Sequence, residues 1–216
     1  MLYILKLMNF QHRLSSQEVE PDFKEVFRYA GFAKTKLTDI TDSQLKELAE
    51  QAVNEISKNM NCRSVYTRFS LEFLGEDTIR FAEKEIKSRD LMRNLHDCHS
   101  VYIFAATLGP AVDKAIQRET RLNPAKAVMM QAAGAMFIEQ YCEKLIEFLT
   151  KEEAAQNNQL KPRYSPGFGD VPLEVQKMFF ELLDCTKNLA LTLNDSLIMS
   201  PEKSVTAFVG ICNKNK

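Results

Sequence analysis

Apolar residues along this chain change period several times, and each change marks an element. Leu45, Leu48, Ala49, Ala52, Val53 and Ile56 recur at intervals of three and four, which gathers them on one face of a helix. Thr41 and Gln44 stand ahead of them at the spacing of a capping box. From Val65 the pattern becomes alternation: Val65, Thr67, Phe69, Leu71 and Phe73 describe a half-buried strand that stops at Gly75-Glu76-Asp77. Residues 78–81 are placed to pair back as a hairpin. Residues 101–106, VYIFAA, form a continuous apolar run closed by Gly109-Pro110 and read as a central strand. Residues 111–119 read as a helix after that turn. Pro124 suits the first turn of the longest helix, running to about Lys151. Its Ala132, Ala133, Gly134 and Ala135 leave room for another backbone to approach.

The remaining segments are shorter. Residues 22–29 read as a helix ending at Gly31, a plausible C-cap, and residues 90–95 and 173–183 as further helices. Residues 157–160 read as a linker. Residues 197–200 and 204–211 read as two strands joined at Pro201-Glu202-Lys203. Residues 2–10 fit either a strand or a short helix. Strands and helices mix without strict alternation, so an α+β fold with a mainly antiparallel sheet is expected rather than a doubly wound one. No repeat, low-complexity tract or inter-domain linker divides the 216 residues, which predicts one domain.

Composition narrows the function classes. Hydrophobic residues are 45% and charged residues 26%, ordinary globular usage. A net charge of -1, with no basic tract, gives no electrostatic reason for a nucleic-acid partner or an anionic membrane. No apolar run is long enough to span a bilayer, and the short apolar N-terminus, with Lys6 inside it, lacks the form of a signal peptide. Cys62, Cys98, Cys142, Cys185 and Cys212 are scattered and odd in number, without CxxC spacing, which points to a reducing compartment. A cytoplasmic location is expected.

Candidate chemistry is sparse. There is no P-loop, no GxSxG and no HExxH, and Gly167-Phe168-Gly169 lacks the third glycine of a dinucleotide fingerprint. His96-Asp97-Cys98-His99 has metal-ligand residue types, with Cys98 and His99 as potential ligands. Adjacent residues seldom face one ion and no second Cys/His pair completes a set, so a polar turn is the favoured reading. Glu139 lies on the long helix among apolar residues. It either meets a cationic partner on a buried face or points to solvent beside Glu143, one turn away.

The segment Arg163-Tyr164-Ser165-Pro166-Gly167-Phe168, followed by Gly169 and Pro172, is too rich in proline and glycine for regular structure. Arg163 offers a planar fork suited to a carboxylate. Pro166 stiffens the chain, Gly167 lets backbone amides come close to a ligand, and Phe168 supplies an aromatic face. From the residues alone, a small-ligand site and a surface turn with a structural arginine remain equally open.

These residues also carry a resemblance. The stretch from Arg163 to Ile211 resembles the reactivation (activation) domain of cobalamin-dependent methionine synthase, whose hallmark is an arginine followed by a turn ending Pro-Gly-aromatic and a nearby proline. Phe180-Glu181-Leu182-Leu183, Leu193-Asn194-Asp195-Ser196, Met199-Ser200-Pro201 and Ser204-Val205 match the segments that follow in that family. Glu25-Val26-Phe27-Arg28-Tyr29-Ala30-Gly31-Phe32 and Ala105-Ala106-Thr107-Leu108-Gly109-Pro110 are similar to parts of its short, free-standing members.

The resemblance implies an α+β domain, residues 1–216 with 1–16 as an N-terminal extension, built on a twisted, mainly antiparallel sheet flanked by helices. It implies S-adenosylmethionine as ligand, with Arg163 on its carboxylate. Tyr164, Ser165, Pro166, Gly167 and Phe168 would form the wall that meets the adenine, and Glu139 would lie close to the ligand. It implies cobalamin held by a partner, a methionine synthase lacking its own reactivation domain, and a flavodoxin-type electron donor. In that role the chain supports reductive methylation of cob(II)alamin to methylcobalamin. It supplies no catalytic residue and is not active alone. The alternative is a non-catalytic partner of another corrinoid protein that keeps the fold without the ligand. Phe168 stands where the family commonly has tyrosine, and the chain ends before a segment that adds an aromatic contact in fused members. Glu18, Glu20 and Asp22 are the candidates for the acidic residue that meets the ligand's amine.

Overall fold

The computed structural model describes residues 8–32 and 43–214. In chain order its elements are β1 (Phe10–Leu14), α1 (Phe23–Phe27), α2 (Ser43–Asn59), β2 (Cys62–Ser70), β3 (Glu72–Leu74), β4 (Thr78–Phe81), β5 (Lys84–Lys87), α3 (Arg89–Asn94) and β6 (Cys98–Thr107). Then follow α4 (Pro110–Leu122), α5 (Pro124–Ala154), β7 (Asn158–Leu160), α6 (Gln176–Leu183), α7 (Cys185–Leu189), β8 (Thr192–Leu193), β9 (Met199–Ser200) and β10 (Ser204–Asn213). Among the described residues, five strands make the main sheet in the order β1-β2-β6-β10-β7, and every neighbouring pair is antiparallel.

The apolar run 101–106 is the middle of this sheet, paired to β2 on one side and β10 on the other. It is continuous because both faces of the sheet are covered. Tyr102, Phe104 and Ala106 point into a core shared with α1, α2, α4 and α5. Val101, Ile103 and Ala105 point into a second core with α3, α6, α7 and the small sheet β3-β4-β5. Strand period two thus feeds two cores from one run. The expected α+β architecture, a curled antiparallel sheet flanked by helices, is what the chain adopts.

Helix α5 spans 31 residues, about 46 Å at 1.5 Å per residue. Asn123 caps it by accepting from the Lys126 amide at 3.1 Å, with Pro124 in the first turn. Met130, Ala133, Phe137, Tyr141, Leu145 and Leu149 form its buried stripe. At Gly134 the close neighbour is the aliphatic stem of Lys203 and not another backbone: a Cβ there would lie 2.9 Å from Lys203 Cε.

Several expectations are corrected. The alternating strand ends at Ser70, and after Leu71 the chain enters β3. Tyr66 is buried as well as Val65 and Thr67, because helices cover both faces. The hairpin 72–81 exists and gains a third strand, β5. The linker 157–160 holds β7, which pairs with Ile211, Cys212 and Asn213 at the sheet edge. Residues 199–200 pair with 192–193 and not with β10. Segments of two or three residues have too few positions to show a period, so only pairing reveals β7 and β8 and fixes the partner of β9. The helix predicted over 22–29 is α1 continued by a π-helical turn, Arg28–Phe32, that contains Gly31. Thr41 of the predicted capping box, and residues 2–7 of the segment left open between strand and helix, lie outside the described residues. Phe10, the last residue of that segment, opens β1.

Candidate functional site

The arginine loop is held at three places. Tyr164 pairs with Phe208 of β10 in both directions, its amide donating to the Phe208 carbonyl at 2.9 Å and its carbonyl accepting at 2.7 Å. Phe208 is a firm anchor, fully buried and edge-on to Phe179 with centroids 4.7 Å apart. Next, the Phe168 amide donates to the Ser165 carbonyl at 3.2 Å. With Pro166 second and Gly167 third at φ 86°, residues 165–168 form a type II turn, which requires positive φ at its third position.

Finally, Asp170 caps the start of α3. Ser88 Oγ donates to its carboxylate, as do the amides of Arg89 at 2.8 Å and Asp90 at 3.2 Å. The Ser88 hydrogen bond first, then these amides, hold the Asp170 carboxyl below its ordinary value although desolvation opposes them. Gly169 makes this docking possible: at φ 53°, a Cβ would fall 2.3 Å from both Asp90 Oδ2 and Tyr164 Oη.

Alternation along the pinned segment sends the Tyr164 ring against the α6–α7 core, while Arg163 and Ser165 border a cavity of about 880 Å³. That volume is at the upper end of pockets that enclose small ligands, about 300–1,000 Å³. Its opposite wall is α5, where Glu139, Glu143 and Ile146 fall at i, i+4 and i+7 on one face. The start of β10, Ser204 to Thr206, closes a third side.

Arg163 Nη2 donates to Glu139, and its Nε lies 3.5 Å from Glu143 Oε1. Glu139 therefore faces the cavity and is paired, which settles the two alternatives left open by helix position. Burial alone would lower the Arg163 pKa; the neighbouring Cys142, Glu139 and Glu143 outweigh it and hold the guanidinium above its ordinary value. The result is a fixed cation backed by two carboxylates, able to receive a ligand anion beside a cationic or hydroxyl group.

Of the seven residues singled out from the sequence, six border the cavity: Glu139, Arg163, Tyr164, Ser165, Pro166 and Phe168. Gly167 shapes the turn but is not in the wall. Phe168 sits at the rim, 67% exposed. Sequence reasoning missed Tyr29, Gln176 and Thr206. Tyr29 carries the Arg28 guanidinium 4.0 Å above its ring, and Arg28 is in turn paired with Glu25. Only the helical spacing of Glu139, Glu143 and Ile146 could have marked one wall in advance.

Other candidates separate. Glu18 accepts from the Ser15 amide and hydroxyl, Asp22 caps α1, and Glu20 is exposed; none of them borders the cavity. His96 is exposed beside Asp97, Cys98 is buried, and His99 turns to Ser100 and Asn158. Among the described residues no group of three or more His, Cys, Asp or Glu is placed to hold a metal ion. In the same set no helix is long and apolar enough to cross a membrane.

No protein-family model matches the sequence, and no curated protein matches it significantly. The fold does have solved counterparts. One is a crystal structure of the MetH reactivation domain bound to AdoHcy, which superimposes with a TM-score of 0.72 over 98% of this chain and 81% of that one. Sequence identity is 18%, so the likeness is one of fold.

Proposed function

We propose that the chain binds S-adenosylmethionine in the cavity between α5 and the Arg163 loop, and that it serves as a reactivation subunit for a cobalamin-dependent methionine synthase lacking such a domain. In this reading residues 1–216 act as one module, with 1–16 as an extension, in the cytoplasm. The observation that carries it is the Arg163–Glu139 pair across a ligand-sized cavity, in a fold like that of a domain crystallised with AdoHcy.

The ligand's chemistry suits the walls. Its carboxylate matches the guanidinium fork of Arg163. Its ammonium, sulfonium or ribose hydroxyls match Glu139 and Glu143, which leave that end of the cavity with an excess of negative charge. The loop from Tyr164 to Phe168, of which every residue but Gly167 borders the cavity, suits the adenine. Cobalamin held by the partner would supply the methyl acceptor, and a flavodoxin-type donor would supply the electron. The chain's own residues bind and orient the methyl donor. No nucleophile or general base is asked of them.

A second reading has a specific observation behind it. Glu139 already occupies part of the Arg163 fork, and the exposed Phe168 offers no hydroxyl to the ligand. Such a chain would keep the fold as a binding partner of another corrinoid protein without the methyl donor.

Calorimetry separates the two. Wild type is expected to bind S-adenosylmethionine and AdoHcy at one site, and Arg163→Ala to bind at least about 10-fold more weakly, the worth of one charge-assisted hydrogen bond. Absence of binding heat from wild type would overturn the first reading. Co-purification with methionine synthase tests the partner independently.

A further inference from the structure

Among the described residues that border the cavity, Gln176 is the one with a buried side-chain polar atom left without a partner. It is the first residue of α6, 7% exposed, and is one of the residues that border the cavity. Its Oε1 is buried without a hydrogen-bond partner. Three other side chains among the described residues also carry an orphaned buried atom, but each keeps a hydrogen bond elsewhere. Arg63 donates to the Leu189 carbonyl, Asn94 to the Pro162 carbonyl, and Asp113 accepts from the Glu202 amide. None of those three borders this cavity. An idle amide in a buried wall costs stability, since the group gave up water for nothing. The cost is offset once a ligand supplies the missing partner.

A primary amide presents an acceptor beside a donor, and rotation about its last torsion exchanges the two. Its complement is a ligand edge with an N–H donor beside a ring acceptor. Adenine has this edge, with its 6-amino group next to N7 or N1, and glutamine pairs with it through two hydrogen bonds. We propose that Gln176 reads the adenine edge of the bound nucleoside and sets the preference for a 6-amino purine. This rests on the nucleoside reading of the cavity given above.

The test compares AdoHcy with its 6-deamino analogue, purine in place of adenine, on the full chain by calorimetry. Wild type should prefer AdoHcy by about 10-fold or more. Gln176→Met keeps the side chain's volume and removes the amide. It should bind both nucleosides within about 2-fold of each other, while its urea midpoint stays equal to or above that of wild type, because no protein partner is lost. Gln176→Glu, which accepts but does not donate when ionised, should bind AdoHcy more weakly than wild type.

A Gln176→Met protein that folds and retains the wild-type preference overturns the assignment while leaving the nucleoside site standing. A wild type that binds neither compound overturns the nucleoside site and the assignment with it. A Gln176→Met protein with a lowered urea midpoint would show that the amide serves the fold, which also overturns the proposal.

Discussion

Replacing Gly169 and Gly167 separately by alanine tests whether the loop is held by side-chain crowding or by backbone geometry alone. Both glycines have positive φ, 53° and 86°, so each alanine carries a similar backbone cost of about 1–2 kcal/mol. Their surroundings differ. At Gly167 the new Cβ meets only Leu173 Cδ1, at 3.2 Å, the end of a flexible and partly exposed side chain. At Gly169 it would fall 2.3 Å from Asp90 Oδ2 and from Tyr164 Oη.

Neither of those atoms moves freely. Asp90 Oδ2 accepts from the Asp170 amide at 3.2 Å and the Asp90 carboxylate pairs with Arg93, while Tyr164 is fixed to Phe208 by both backbone hydrogen bonds. Displacing them adds an overpacking cost of about 1–3 kcal/mol. Gly167→Ala should therefore lose about 1–2 kcal/mol and Gly169→Ala about 2–5 kcal/mol. With a urea slope near 2 kcal/mol/M, the two midpoints should differ by about 0.5–1.5 M. Equal midpoints at equal slope would show that the docking of residue 169 against α3 does not hold the loop. The backbone cost is common to both variants, so it cannot mask the difference.

Two other sites give independent checks. Glu153 is 1% exposed and accepts from Tyr102 Oη at 2.7 Å, Asn158 Nδ2 at 2.6 Å and Arg68 Nη1 at 3.0 Å, so Glu153→Ala strands three donors and should lose about 3 kcal/mol in urea unfolding. A loss under about 1 kcal/mol would mean that the network contributes little net stability. Asp170 titrates below its ordinary value in the folded chain, so its stabilising effect is present above the unfolded pKa, near 4, and is lost as pH falls through the folded one. Asp170→Asn should accordingly flatten the acid limb of stability below about pH 4 and leave its slope near neutrality unchanged; an unaltered acid limb would contradict the capping role.

Part of the site was legible as composition. Pro162, Pro166, Gly167, Gly169 and Pro172 exclude helix and central strand whatever surrounds them, because their φ limits and missing donors act locally. The same holds for the type II turn, whose Pro-Gly order is its own signal. The orientation of Glu139 was not legible. Helix position alone allowed either solvent or cavity, and what decides between them is Arg163, 24 residues away in sequence. Tyr29, Gln176 and Thr206 were hidden for the same reason: they come from three distant segments and meet only once β10 has paired with β6 and Tyr164 with Phe208.

The sequence by itself determined the elements whose period is long enough to read. These are the helix α2, the 31-residue helix α5, the central strand at 101–106 and the α+β mixture they make. Period is a property of neighbouring side chains and needs no knowledge of the rest of the chain. Only the tertiary structure decided the short strands β5, β7 and β8, the partner with which β9 pairs, the three-point docking of the arginine loop, and which polar side chains share one cavity. These depend on strand register and on packing between segments far apart in the chain, and no local pattern encodes either.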